Sequence, residues 1–237
     1  MKPNIVQLHK EEHANLKISS ELNFELLEKQ NMVPIIANEY SIAATELPVV
    51  FIKDEKNNRF MSVVVFGLKP EQNLYYKKGE NNKGKFVPAM LTHEPFRIAQ
   101  DPENENRFSV FIDLNSRLVS EKEGGALFTA DGKDTELLTQ RVNAMSNYSQ
   151  LSEKTREFVE HLVKLELLAS RNLSYKGKDK TQTAEGIYAI DENKLNSLSD
   201  KDFDELRKRG FLAPIYSHLV SLNQMSKLVK WTIEEEK

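Results

Sequence analysis

Residues 48–68, PVVFIKDEKNNRFMSVVVFGL, contain two apolar runs separated by a polar segment. Residues 48–52 and 60–68 are rich in β-branched and aromatic side chains, which favour strands. Residues 53–58 are charged or amide side chains, which are typical of a turn. The pattern therefore predicts a β-hairpin with a longer loop. The nearly continuous apolar character of this stretch predicts strands that are covered on both faces.

Two further pairs of short apolar segments follow this hairpin. Residues 73–76 and 86–87 bracket a turn that contains Gly, Asn and Lys, and residues 96–98 and 108–113 bracket a second turn, centred on residues 101–106. Apolar and polar side chains alternate within the last segment, which is the period of a strand. We therefore expect two more hairpins in the first two-thirds of the chain.

The last third of the chain has the periodicity of helices. Apolar residues recur at roughly helical spacing from residue 138 to residue 165, which predicts one amphipathic helix, or two helices broken near residues 149–152. Polar residues 176–180 separate two apolar segments and predict one hairpin within this helical part. Earlier in the chain, residues 38–45 predict one or two helical turns that end before Pro48.

Capping residues mark the C-terminal helices. Asp191 is a candidate N-cap of a short helix, and Ser199 is a candidate N-cap of the next one. Gly210 suits the left-handed position after a helix end. We expect Phe203 and Leu206 to form the buried stripe of the helix that Ser199 caps.

The following helix is expected to begin at Pro214, because proline is tolerated at the first helical position. Four apolar side chains should share one of its faces: Ile215, Leu219, Leu222 and Met225. Together these elements predict an α+β fold with a mixed or antiparallel sheet. We expect a single domain over residues 1–237, in which residues 1–130 are mainly strands and turns and residues 131–237 are mainly helices with one hairpin.

The composition excludes several classes of protein. The 237 residues include 33 Lys and Arg, 36 Asp and Glu and no Cys, for a net charge of −3. Without cysteine there can be no disulfide scaffold and no thiolate chemistry. The mild acidity argues against nucleic-acid partners and anionic membranes. We also expect no membrane span and a cytoplasmic location, because the sequence has no long apolar segment and its N-terminus does not resemble a signal peptide.

Three motifs resemble ligand sites but lack essential residues. Residues 79–85 fit the phosphate-loop pattern G-x-x-x-x-G-K, yet Phe86 follows where that loop needs Ser or Thr. Residues 200–204 resemble the start of a calcium loop, but Glu205 and Phe211 occupy the positions of its Gly and its last Glu. His9 and His13 are four residues apart and would share a helix face, but an iron site needs two His and a carboxylate on neighbouring strands or turns, and the strands contribute only His93. His93, His161 and His218 offer no paired spacing. We therefore expect no nucleotide site, no metal site and no cofactor.

Several stretches, in order, resemble the SapC family of bacterial proteins. They are residues 13–18, 33–40, 47–51, 86–89, 94–96, 125–128, 186–192 and 210–222. Each motif is weak alone, but their order and spacing together are specific, and the resemblance extends from about residue 13 to residue 228. Tyr188 and Ser217 depart from the residues that are frequent in the family at those positions.

The resemblance implies a role near the cell surface. The family takes its name from a proposed surface-layer role, and its members commonly lie in gene clusters with outer-membrane receptors, cupin-like proteins and flavin-dependent halogenases. We therefore expect a soluble, non-enzymatic accessory protein of a surface-layer or nutrient-uptake system, whose partner is a protein or a small-molecule ligand. The alternative is a metal (iron)-dependent oxidative enzyme that acts with the cupin-like or halogenase neighbours; His93 and His218 are the histidines to test for it.

The family offers no established catalytic residue to carry over. If its motifs mark a site, the polar candidates for ligand binding are Glu39, Tyr216, His218 and Ser221. We then expect Glu39 and His218 to converge in a concave pocket. In the alternative interpretation these residues are structural: Glu39 caps or pairs beside the strand after Pro48, and Tyr216 and His218 form hydrogen bonds within the helical packing.

Overall fold

The computed structural model describes residues 2–77, 84–101, 104–177 and 181–236. Most of the phosphate-loop pattern at residues 79–85 and parts of the two loops predicted at 101–106 and 176–180 lie outside the described residues. The chain divides into two compact units. The smaller unit comprises residues 1–24 and 89–150, and the larger unit comprises residues 25–88 and 151–237.

The described strands pair antiparallel and range from two to ten residues in length. In chain order they are β1 (Ile5–Gln7), β2 (Lys17–Ile18), β3 (Met32–Pro34), β4 (Val49–Asp54), β5 (Arg59–Val65), β6 (Phe96–Asp101), β7 (Asn104–Asp113), β8 (Val119–Ser120), β9 (Gly125–Ala126), β10 (Leu168–Lys176) and β11 (Thr181–Ile190). The chain is 37% helix and 26% strand, which confirms the predicted α+β class.

The described α-helices are mostly in the C-terminal part. They are α1 (Tyr40–Ala43), α2 (Ala89–Thr92), α3 (Glu136–Lys164), α4 (Glu192–Asn196), α5 (Asp200–Lys208), α6 (Leu212–Ser221) and α7 (Met225–Glu235). The 3-10 helices are Phe24–Leu26, Ala37–Glu39 and Leu222–Gln224. The sequence predicted one helix or two from residue 138 to residue 165, and the structure has one continuous helix there, α3. The structure also confirms the helical turns predicted at residues 38–45.

The larger unit contains a sheet with the strand order β10-β11-β4-β5-β3. Its centre is the hairpin predicted from residues 48–68, in which Val49 pairs with Val64 and Asp54 pairs with Arg59. The side chains of Val49, Val50, Val64 and Val65 are fully buried, which confirms that both faces of these strands are covered. The hairpin of β10 and β11, which was predicted within the helical part, forms one end of this sheet.

The predicted hairpin of residues 73–76 and 86–87 is wrong, because neither segment is a strand. The side chain of Asn73 satisfies the local backbone instead. Its Oδ1 accepts hydrogen bonds from the backbone N–H groups of Tyr75 (2.8 Å) and Tyr76 (2.9 Å), and its Nδ2 donates to the carbonyl of Leu27 (2.7 Å). An asparagine that bonds the nearby backbone removes the need for a strand partner.

The structure confirms the predicted cap at Ser199 and the left-handed glycine at position 210, but it corrects two other predictions for these helices. Ser199 Oγ accepts a hydrogen bond from the Asp202 N–H, and Gly210 has a φ of 73°. The stripe predicted from Phe203 and Leu206 is wrong for Phe203, which is 36% exposed, and Leu206 is the buried residue of α5. The next helix, α6, begins at Leu212 rather than at Pro214. The proline lies in the first turn, where backbone N–H groups have no partner within the helix, so the absence of its N–H does not cost a hydrogen bond.

The smaller unit has two three-stranded sheets, with the orders β1-β7-β6 and β8-β2-β9. The hairpin of β6 and β7 confirms the pairing predicted between residues 96–98 and 108–113. The core of this unit includes Ile18, Phe96, Ile112, Leu127 and Leu138. The shortest of these strands could not be predicted, since segments of two or three residues are too brief to have a readable period.

The prediction of a single domain over residues 1–237 has a direct thermal test. If the two units unfold together, differential scanning calorimetry gives one transition, and its calorimetric enthalpy equals its van't Hoff enthalpy. Two resolved transitions, or a calorimetric enthalpy well above the van't Hoff value, would show that the units are separate domains.

Candidate functional site

His218 of α6 lies between two strands of the larger unit and is fully buried. Its Nδ1 is 2.8 Å from the carbonyl oxygen of Val49, and its Nε2 accepts a hydrogen bond of 3.1 Å from the backbone N–H of Ile190. Because the carbonyl can only accept and the N–H can only donate, the ring must carry its proton on Nδ1. This is a neutral imidazole.

This imidazole takes the place of a strand-to-strand hydrogen bond. In the register of β11 and β4, Ile187 pairs with Ile52 and Tyr188 pairs with Phe51. The same register, continued by two residues, would set Ile190 opposite Val49, and these are the two residues that the ring bridges. The strands therefore separate at this point, and the side chain satisfies the backbone groups that the separation exposes.

Ser221 lies one helical turn after His218 in α6 and bonds the same residue of β4. Its Oγ accepts a 2.9 Å hydrogen bond from the N–H of Val49 and donates to the carbonyl of His218. Residues three positions apart lie on the same face of a helix, so His218 and Ser221 together bind both polar groups of Val49. We call this arrangement the α6–Val49 tether.

Burial lowers the pKa of His218 to about 4, although the hydrogen bond to Val49 opposes the shift. A charged ring would lose its hydration and would turn a second N–H towards the N–H of Ile190. The side chain is therefore neutral at physiological pH, and the tether is fully formed there.

A cleft of about 490 Å³ lies beside the tether. Its floor is apolar and comes from both the sheet and the helices: Val50, Ile187, Ala189, Leu219, Leu222 and Met225. Leu219, Leu222 and Met225 are residues of the predicted apolar face, but the prediction that one helix carries them is wrong. The helix α6 ends at Ser221, Leu222 begins a 3-10 helix and Met225 begins α7. We call this cavity the β11–α6 cleft.

A β-bulge shapes the rim of the β11–α6 cleft. Arg171 pairs with Ile187 and Leu173 pairs with Ala184, so Asn172 of β10 faces two residues of β11, Glu185 and Gly186. Gly186 has a φ of 75°, which a side chain would strain. Since paired residues project from the same face of a sheet, Arg171 lies on the face of Ile187, at the rim of the cleft.

The four predicted ligand-binding residues occupy three different places. His218 and Ser221 meet at Val49 and are fully buried. Tyr216 is 49% exposed and lines a neighbouring pocket of about 380 Å³. Glu39 accepts a hydrogen bond from the N–H of Ile36 at the start of the 3-10 helix Ala37–Glu39. The lining of the β11–α6 cleft contains none of the four, and ligand binding by them stays a prediction.

The residues that line the β11–α6 cleft include some that sequence reasoning missed. Arg171 belongs to no motif, and Ile187 and Ala189 lie in the family-like stretch 186–192 but were not named as candidate site residues. The signal that was available is Gly186, since an isolated glycine in a strand pattern indicates a bulge, and bulges are common beside functional sites.

The described residues do not include a group of three or more His, Cys, Asp or Glu side chains that could hold a metal ion. Both ring nitrogens of His218 are bonded to the backbone. His93 packs against Tyr148 with ring centroids 4.7 Å apart, and burial, together with Arg141 and Arg97, lowers its pKa. A histidine beside two guanidinium groups is a poor fit for a cation.

The described part of the chain also has no helix that is both long and apolar enough to cross a lipid bilayer.

The comparisons with known proteins identify a family but no individual relative. The family model of SapC matches residues 8–228, which is nearly the whole chain. The search of curated proteins found no match, and the search of solved structures found none either.

Replacing His218 tests the α6–Val49 tether. We expect His218→Ala to lower the free energy of unfolding by about 3 kcal/mol or more, because the buried carbonyl of Val49 and N–H of Ile190 lose their partner and a cavity forms. The control is Tyr216→Ala on the exposed face of the same helix, which we expect to change the free energy by less than about 1 kcal/mol. Urea denaturation measures both. Equal effects of the two substitutions would contradict the tether.

The pH dependence of stability follows from the lowered pKa of His218. The folded value of about 4 is below the ordinary value of 6.5, so between these values the unfolded chain binds more protons than the folded one. The contribution of His218 to the free energy of unfolding is therefore complete above pH 6.5 and is lost as the pH falls towards 4. A pKa difference of this size between the folded and unfolded chain corresponds to about 3 kcal/mol. Urea titrations of the wild type and His218→Gln at each pH measure the difference, and parallel profiles of the two proteins would refute the prediction.

Proposed function

The chain belongs to the SapC family, and from this premise we propose that it is a soluble, cytoplasmic, non-enzymatic accessory protein of a bacterial surface-layer or outer-membrane nutrient-uptake system. It acts by binding a small ligand in the β11–α6 cleft. The family resemblance supports the biological setting, and the shape and chemistry of the cleft support the mode of action.

The observation that carries the proposal is an apolar floor surrounded by a polar rim. Ligand sites commonly have volumes of about 300–1,000 Å³, apolar walls and a few polar groups that fix orientation. The β11–α6 cleft, at about 490 Å³, has Ile187, Leu219 and Met225 in its apolar floor and Arg171 and Glu192 at its rim.

The α6–Val49 tether supports binding by a preformed site. The apolar floor of the cleft comes partly from β11 and partly from α6 and the residues after it. His218 belongs to α6 and bonds Ile190 of β11, so it fixes these two elements to each other. A site that is already in its binding shape loses little entropy when a ligand enters.

The rim groups favour binding over catalysis. Asp191 Oδ1 accepts hydrogen bonds from the backbone N–H groups of Asn193 (3.0 Å) and Lys194 (3.3 Å) and so caps α4. This carboxylate therefore has a structural role at the start of α4, which favours binding by the cleft over catalysis there.

A neutral apolar fluorophore tests the proposed function. We expect N-phenyl-1-naphthylamine to bind at one saturable site with increased fluorescence. The substitution Leu219→Gln should weaken this binding by about tenfold, because it places a polar side chain in the apolar floor of the cleft. Fluorescence titration measures both.

The matched control is Val163→Gln. Val163 is a 42% exposed helical residue of α3 that does not line the cleft, so this variant should bind the fluorophore like the wild type. Failure of the wild type to bind the fluorophore, or equal weakening by both substitutions, would refute the cleft as a ligand site.

A further inference from the structure

Two charged side chains lie at different ends of the rim of the β11–α6 cleft. Arg171 lies opposite Ile187 near the bulge, and Glu192 is the first residue of α4, two residues after the end of β11. Both residues are exposed. Within the residues that the structure describes, neither side chain forms an ion pair.

The length of backbone between the two ends of the rim can be read along β11. Ile187, the strand partner of Arg171, and Asp191, which precedes Glu192, are four positions apart in the chain. At roughly 3.3 Å per residue this is about 13 Å. An extended peptide of four residues has about the same length.

The surface between the two charges is apolar on both sides. Ile187 and Ala189 come from the strand, and Leu219 and Leu222 come from the helical side. A ligand that lies along β11 would therefore contact the chain through aliphatic groups over its middle and through charges only at its ends.

Each charged residue is followed by an asparagine that also lines the cleft. Asn172 comes after Arg171, and Asn193 comes after Glu192. A side-chain amide both donates and accepts, so it can bond the carbonyl or the N–H of a peptide group. A hydrocarbon chain would leave these amides unused, whereas a peptide would bond them near each of its ends.

The charges at the rim have both signs, which argues against a ligand with one charge. Arg171 attracts an anion, and Glu192 attracts a cation. Asp191 adds a second negative charge beside Glu192, although its carboxylate is engaged with the backbone of α4. A simple apolar acid would leave the acidic end of the rim unmatched, and a simple apolar amine would leave Arg171 unmatched.

On the basis of the proposed function, we propose that the ligand of the β11–α6 cleft is a short apolar peptide of about four residues with ionised ends. Its carboxylate pairs with Arg171, its ammonium group pairs with Glu192, and its aliphatic side chains rest on the floor of the cleft. The two asparagines bond its peptide groups.

The test uses the tetrapeptide Leu-Val-Ala-Leu with free ends, with an acetylated N-terminus, with an amidated C-terminus, and with both modifications. Each form competes with N-phenyl-1-naphthylamine for the wild-type protein. We expect the free peptide to compete best and each modification to weaken competition by about three- to tenfold, as for charge-assisted hydrogen bonds at a partly exposed rim.

Two variants act as controls for each other. In Arg171→Gln, amidation of the peptide should no longer matter while acetylation still does. In Glu192→Gln the dependence should be reversed. A merely destabilised protein would instead weaken all four peptides together, and that result would overturn the pairing of the charged ends with these residues.

The outcomes separate this inference from the proposed function. If the fluorophore binds and the doubly modified peptide competes as well as the free one, the recognition of charged ends is refuted while the cleft remains a ligand site. The same holds if decanoate competes better than every peptide, since the ligand is then an apolar acid. If the fluorophore itself does not bind, the proposed function fails, and this inference fails with it.

Discussion

The imidazole of His218 between Val49 and Ile190 is the contact on which the larger unit depends. It bonds two strands at the point where their ladder ends, and it comes from a helix that is 169 residues away from Val49 in the sequence. Buried backbone groups need partners, so without this ring the ends of β4 and β11 would have to pair directly or admit water. Ser221 reinforces the contact, because it bonds the N–H of the same valine.

The β11–α6 cleft lies between two irregularities of the sheet. At one end of the cleft the strands separate around His218, and at the other the bulge at Gly186 turns Arg171 and Asn172 to the rim. A regular, fully covered sheet would have no such cavity, because the helices would pack against it evenly. The same features that interrupt the ladder therefore provide an apolar cleft with charges at its edge, and the proposed ligand binding rests on this geometry.

Local signals in the sequence predicted much of the fold. The hairpin of residues 48–68 and the caps Asp191 and Ser199 depend on residues that are close together in the chain, and all three are present. The segment around Asn73 was misread, because its apolar residues resemble a strand while the asparagine side chain replaces the strand partner. The cleft could not be predicted, since it requires the register of β11 with β4 and the position of α6. His218 was selected from its family motif, but its bonds to Val49 and Ile190 appear only in the folded chain.

The protonation state of His218 tests this account most directly. Long-range ¹H–¹⁵N NMR of the folded protein distinguishes the two ring nitrogens and reports which of them carries the proton. We predict a neutral ring protonated on Nδ1, with resonances that do not change between neutral pH and about pH 5. A ring protonated on Nε2, or one that titrates near its ordinary pKa, would mean that His218 does not bridge Val49 and Ile190.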